Sequence, residues 1–155
     1  MPVLPRFDLQ GQVALVTGAG RGLGRAIALA LAAAGADVAL GLRDAGADSG
    51  VAAEVEALGR RPLPLQMDLA RAGQIGPAVN AAAERFGRLD ILVNNAGIAP
   101  RNPAEDVREE DLDATLAVNL KGTFLASQAA GRVMIRQGSG TIINIGSQAD
   151  RKSVV

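Results

Sequence analysis

Short β-rich apolar runs begin at Val13, Val38, Leu63 and Leu89, so the same kind of segment returns after 25, 25 and 26 positions. The stretches between them carry apolar residues at helical spacing. Parallel strands must be joined by a crossover of a dozen or more residues, usually a helix, and every interval is long enough to provide one. The chain is therefore expected to be an α/β protein, with a doubly wound parallel sheet and helices on both faces. Right-handed crossovers predict the strand order 3-2-1-4-5 and a ligand crevice at the carboxyl ends of strands one and four.

The first strand is read at residues 13–16, followed by Leu23, Ile27, Ala30, Leu31 and Ala34 on one helical face and by Gly35 as a stop. The second covers 38–42, ahead of Val51, Val55 and Leu58 and a stop at Gly59. The third, 63–67, contains Pro64, which cannot donate to a ladder and so belongs at a sheet edge or an irregular point. Ile75, Val79, Ala82 and Phe86 continue the helical pattern to Gly87. Residues 89–93 are almost continuously apolar, as suits a strand covered on both faces. One long helix is expected over 109–137, ending at Gly138 and Gly140, and a β-branched fifth strand over 141–145 around Asn144. No linker or low-complexity segment marks a second domain, so residues 1–155 read as one domain that stops after the fifth strand.

Composition narrows the function. Sixteen basic and sixteen acidic side chains cancel, leaving no global field to draw in nucleic acid or an anionic membrane. With no tyrosine or tryptophan and three phenylalanines, the stacking platforms of single-strand binders are missing. The absence of cysteine excludes disulfides and thiolate metal sites, and the absence of histidine removes the usual imidazole base. Apolar stretches break well before the ~20 residues of a membrane span, and residues 1–10 lack a secretory apolar core, so the expected location is the cytoplasm.

The turn after strand one reads Thr17-Gly18-Ala19-Gly20-Arg21-Gly22-Leu23-Gly24 and opens the first helix. Its glycines can bring backbone N–H groups up to a pyrophosphate, which the positive end of a helix also favours. The simpler alternative is a tight turn whose glycines only permit close helix–sheet packing.

The spacing Thr-Gly-x-x-x-Gly-x-Gly resembles that of the short-chain dehydrogenase/reductase family, including 3-oxoacyl-carrier-protein reductase-like members. The resemblance extends in order through Asp68, Asn94-Asn95-Ala96-Gly97, Val118-Asn119-Leu120 and Ile143-Asn144-Ile145-Gly146-Ser147, about residues 10 to 149. It implies a Rossmann fold and an oxidoreductase that moves a hydride between a nicotinamide dinucleotide and a carbonyl or alcohol. On this reading Gly18, Gly20, Arg21, Gly22, Leu23 and Gly24 hold the pyrophosphate, Asp68 and Leu69 border the adenine, and Asn95, Ala96 and Gly97 border the cofactor. Asp68 could equally be a helix N-cap, and the Asn-Asn-Ala-Gly run an ordinary turn.

A carboxylate at the end of strand two usually selects NAD by binding the ribose hydroxyls, but Leu42 stands there. Arg43 follows it and Arg21 lies in the glycine loop, so two guanidinium groups could meet a 2′-phosphate. NADP(H) is the expected cofactor, with NAD(H) possible; as solvated loop residues the two arginines would carry no such preference.

By the same resemblance, Ser147 would hold the substrate oxygen and Asn119 would support a water-linked proton path, the competing readings being a turn serine and a solvent-facing asparagine. The family's Tyr-x-x-x-Lys would follow about a dozen residues after Ser147. The chain ends at Val155 and has no tyrosine, so it is expected to be the cofactor-binding front portion of such an enzyme, inactive as it stands. Lys152 is a poor substitute, since nothing orients it. The alternatives are a non-catalytic dinucleotide-binding module and an inert partner that completes its sheet with another polypeptide. The family also pairs subunits through the long helix, so a homo-oligomer through 109–137 is possible.

Overall fold

The computed structural model describes residues 8–47 and 49–147. Five strands, β1 (Val13–Thr17), β2 (Asp37–Leu42), β3 (Pro62–Gln66), β4 (Ile91–Asn94) and β5 (Thr141–Asn144), form one sheet in the order β3-β2-β1-β4-β5. Every adjacent pair runs parallel. This is the doubly wound Rossmann arrangement, with α1 (Gly22–Ala33) and α2 (Val51–Ala57) on one face and α3 (Ala72–Phe86) on the other. Pro64 sits on the edge strand β3, where its missing N–H leaves no bond unmade in an interior ladder.

Alternation along β1 feeds both layers. Val13 and Leu15 join Ile75, Val79 and Leu92 in one core, while Ala14 and Val16 join Val38, Leu40, Val51 and Val55 in the other. Burial of every residue of β1 and β2 accounts for their continuous apolar reading. In α1 the buried positions are Gly24, Ala28 and Ala32, a small-residue face that lets the helix axis approach the sheet.

The span expected to be a single regular helix is instead three consecutive helical segments. After a 3₁₀ turn at Ala104–Asp106, α4 (Glu109–Thr115) runs into a π-helical segment at Leu116–Gly122 and then α5 (Thr123–Gln137). Two contacts pin the π-helical segment in place. Asn119 is bonded in both directions to the backbone of Ile98. Gly122 lies so close to the Leu69 turn that an added Cβ would be 2.7 Å from Leu69 Cβ and 2.8 Å from its carbonyl oxygen. Helix α5 ends at Gly138, as its sequence suggests.

The strand boundaries also move slightly: β2 starts at Asp37 and β3 at Pro62, β4 starts at Ile91 rather than 89, and β5 ends at Asn144. Strand β5 forms the other edge, with Ile142, Ile143 and Ile145 exposed. No helix among the described residues is long and apolar enough to cross a membrane.

Candidate dinucleotide cleft

A cleft of about 600 Å³ opens at the carboxyl ends of β1, β2 and β4. All twelve residues expected to touch a cofactor line it: Gly18, Gly20, Arg21, Gly22, Leu23, Gly24, Arg43, Asp68, Leu69, Asn95, Ala96 and Gly97. Leu42, Asp44, Ser49, Met67, Ile98 and Val118 complete much of its wall.

The floor is the glycine turn. Gly18 (φ 66°) and Gly22 (φ 53°) occupy the left-handed region, where side chains are strained. At Gly24 an added Cβ would collide with the Gly18 carbonyl, whereas at Gly22 it would meet nothing within 4 Å. The turn is thus packed tightly on its sheet side and open on its cleft side. No side chain caps the N-terminus of α1, and its first turn contains no acidic residue. Its leading N–H groups therefore remain available for an anion, and a diphosphate fits this cradle of uncapped amides and absent side chains.

A buried hydroxyl ties the floor to the neighbouring wall. Thr17 is fully buried; its Oγ1 donates to the Val93 carbonyl at 3.4 Å and accepts from the N–H groups of Asn95 and Ala96 at 3.0 Å each. Asn95 returns the contact, donating through Nδ2 to the Thr17 carbonyl at 3.0 Å. Its predecessor Asn94 faces the other way, donating to Ser127 Oγ at 2.8 Å and to Asn144 Oδ1 at 2.9 Å, which joins β4 to α5 and β5. Asn94 Oδ1 is buried without a hydrogen-bond partner among the described residues.

At the far end of the cleft, Arg21 and Arg43 are exposed and share its wall with Asp44. Asp68 Oδ1 accepts from the Ala70 N–H at 3.0 Å, and its other oxygen lies 3.7 Å from Arg71 Nε. The carboxylate thus shapes its own turn while lining the cleft; the residue at the N-cap of α3 is Arg71.

Asn119 and Ser147 are not among the residues lining the cleft. Asn119 sits at its rim, donating to the Ile98 carbonyl at 2.8 Å and accepting from the Ile98 N–H at 2.9 Å, so its amide is engaged with the backbone and is not a bare solvent-facing side chain. Ser147 is exposed just beyond β5, on the same carboxyl edge of the sheet. Nearby, the Ile145 N–H bonds the Asn94 carbonyl at 2.9 Å. Lys152 lies outside the described residues.

Sequence reasoning passed over Thr17 as a functional residue, and also Gln66 and Gln74 below the Arg43 loop. A β-propensity threonine at a strand end gave no sign that its hydroxyl would be buried.

The profile of the short chain dehydrogenase family matches residues 12–155. D-threitol dehydrogenase of Mycolicibacterium smegmatis is 46% identical over 144 residues, covering 92% of this chain and 55% of that protein. The 3-oxoacyl-[acyl-carrier-protein] reductase of Synechocystis is 42% identical over 142 residues, covering 91% of this chain and 58% of the relative. Among solved structures, a short chain dehydrogenase from Burkholderia cenocepacia in complex with NADP superimposes with a TM-score of 0.86 at 44% identity, covering 96% of this chain and 60% of the other. The chain therefore spans somewhat over half the length of the relatives it matches. Profile, relatives and fold agree, and the chain belongs to the short-chain dehydrogenase family of oxidoreductases.

Proposed function

We propose that the cleft binds a nicotinamide dinucleotide, with NADP(H) preferred over NAD(H), and that these residues form the cofactor-holding portion of an enzyme interconverting a carbonyl and an alcohol. The observation that carries the reading is the convergence of the glycine turn, Arg21, Arg43, Asp68 and the Asn95–Gly97 segment on one cleft. The NADP complex of the Burkholderia relative supports the cofactor class. The bound cofactor would supply or receive a hydride at its nicotinamide ring. The uncapped amides of α1 would hold the diphosphate, the Arg21 and Arg43 guanidinium groups would pair with a 2′-phosphate, and Asp68 and Leu69 would border the adenine.

Ser147 is proposed to hold the substrate oxygen by hydrogen bonding. Asn119 is proposed as a positioning residue for a water-linked proton path: its amide holds the π-helical segment against Ile98, and π-helical turns are frequent at functional sites. The 155 residues contain no tyrosine, so they supply no phenol for the proton transfer itself. A module that binds the dinucleotide without turning it over is the second reading.

Calorimetric titration with NADPH and NADH tests the proposal. Tighter binding of NADPH is expected, and Arg43→Ala should weaken NADPH by about 10- to 100-fold, the worth of charge-assisted bonds, while NADH changes little. Equal or tighter binding of NADH would overturn the preference, and no binding of either would overturn the site. No oxidation of NADPH with carbonyl substrates is expected from these 155 residues alone. Gain of that activity in a version extended through a Tyr-x-x-x-Lys segment, and its loss with Ser147→Ala, would separate the enzyme from the binding module.

A further inference from the structure

Beneath the Arg43 loop lies a pair of glutamines that the cleft itself does not include. The ladder between β2 and β3 ends where the Met67 N–H donates to the Leu42 carbonyl at 2.7 Å. The next backbone groups of the β2 loop have left the sheet, and the side chain of Gln66 takes them up. Its Nε2 donates to the Arg43 carbonyl at 2.7 Å, and its Oε1 accepts from the Ala45 N–H at 3.0 Å. One primary amide thus acts as an extra rung, bonding the loop on either side of Asp44. The same Nε2 donates to Gln74 Oε1 at 3.2 Å, and that oxygen also accepts from the Asp68 N–H at 2.9 Å. The two turns that line the far end of the cleft, one carrying Arg43 and the other Asp68, are therefore joined through two side-chain amides.

Arg43 and Asp44 both line the cleft, and they have opposite consequences for a nucleotide. A guanidinium favours a 2′-phosphate, whereas a carboxylate favours free ribose hydroxyls and repels phosphate. Which of them faces the ribose depends on the path of the loop over these two residues. The Asp44 carboxylate is turned back to the Gly46 N–H at 2.9 Å. We propose that Gln66, steadied by Gln74, is a specificity-determining clamp: by fixing the Arg43 carbonyl and the Ala45 N–H it holds Arg43 toward the 2′-phosphate position and Asp44 away from it. Neither glutamine touches the cofactor, so both are positioning residues, and the inference rests on the dinucleotide reading of the cleft.

The chemistry of the two amides differs, which makes the clamp testable. Gln66 must donate to one carbonyl and accept from one N–H. Among the described residues the Gln74 side chain serves only as an acceptor. The readout is the ratio of NADPH to NADH affinity, measured by calorimetry on the full chain, with thermal melting as the check on folding. Gln66→Leu should lower the ratio about five- to tenfold, chiefly by weakening NADPH. Gln66→Glu should lower it as well, because a carboxylate cannot donate to the Arg43 carbonyl. Gln74→Glu should retain the ratio, because it keeps the acceptor, while Gln74→Leu should lower it. In an Arg43→Ala background, Gln66→Leu should lower the ratio less than it does in the parent, because only the release of Asp44 is then left to act.

A chain that binds neither dinucleotide would sink the cleft reading and the clamp with it. A chain that prefers NADPH, and keeps that preference in Gln66→Leu, would sink the clamp alone. Should Gln66→Leu not fold, the Gln74 pair decides the matter: equal ratios in Gln74→Glu and Gln74→Leu would overturn the proposal.

Discussion

Thr17 concentrates three hydrogen bonds on one buried oxygen at the point where β1 hands over to the glycine turn. Replacing its hydroxyl by a methyl of similar size leaves the N–H groups of Asn95 and Ala96 without their acceptor, in a region where little water can take over. Thr17→Val should therefore lower the unfolding free energy by about 1–3 kcal/mol, the cost of desolvated, unpaired backbone donors. Thr17→Ser, which keeps the oxygen, should recover most of it. Urea denaturation of the two variants checks this, and equal midpoints would show that packing rather than the hydroxyl matters. The same residue scale explains why the glycines are unequal: Gly24 has no room for a methyl against the Gly18 carbonyl, while Gly22 is restricted by its backbone angle and not by space.

At the scale of elements, the π-helical segment and the Leu69 turn are held at a separation that only glycine allows. Gly122→Ala would put its methyl 2.7 Å from Leu69 Cβ and 2.8 Å from the Leu69 carbonyl, so one of the two elements must shift. A destabilisation of about 1–3 kcal/mol is expected from such overpacking, and because Leu69 lines the cleft, a weaker NADPH affinity should accompany it. Denaturation and titration of the same variant would measure both. This segment also marks where sequence reading stops. The strands were legible because burial on both faces writes a continuous apolar run, and the crossover lengths then restrict the sheet order. The glycine turn was legible because its residues are consecutive. The π segment was not, since the Asn119–Ile98 pairing that pins it spans 21 residues, and helical periodicity barely registers one extra residue in a turn. The Gln66 clamp was hidden for a similar reason, because an exposed glutamine on an edge strand looks like an ordinary solvated residue until the path of the neighbouring loop is known.

Across the whole molecule, the two edges of the sheet use charge differently. The carboxyl edge carries the cleft with exposed Arg21 and Arg43, while the amino edge carries two buried aspartates, Asp37 and Asp90, at the starts of β2 and β4. Burial by itself would raise the Asp37 carboxyl, but bonds from the Arg61 side chain and backbone and from Arg60 outweigh it and hold the group below the usual carboxylate range. At Asp90 burial is likewise overcome, by Arg88, the Val13 N–H and Gln137. Both groups therefore favour the folded state only when ionised. Their contribution is complete above the unfolded-chain value of about 3.9 and is lost as pH falls through the lower folded values. Below about pH 4 the unfolded chain binds more protons than the folded one, and each such carboxylate steepens the loss of stability by up to about 1.4 kcal/mol per pH unit. Asp37→Asn combined with Asp90→Asn should be less stable than the parent at neutral pH and should lose less on acidification, so that the two curves converge at low pH. Parallel curves, measured by denaturant unfolding from pH 7 down to about pH 3, would mean that these ion pairs do not set the acid limb. Because both aspartates lie at the edge opposite the cleft, nucleotide affinity per folded molecule should be unaffected by the pair of substitutions, which separates a loss of fold from a loss of site.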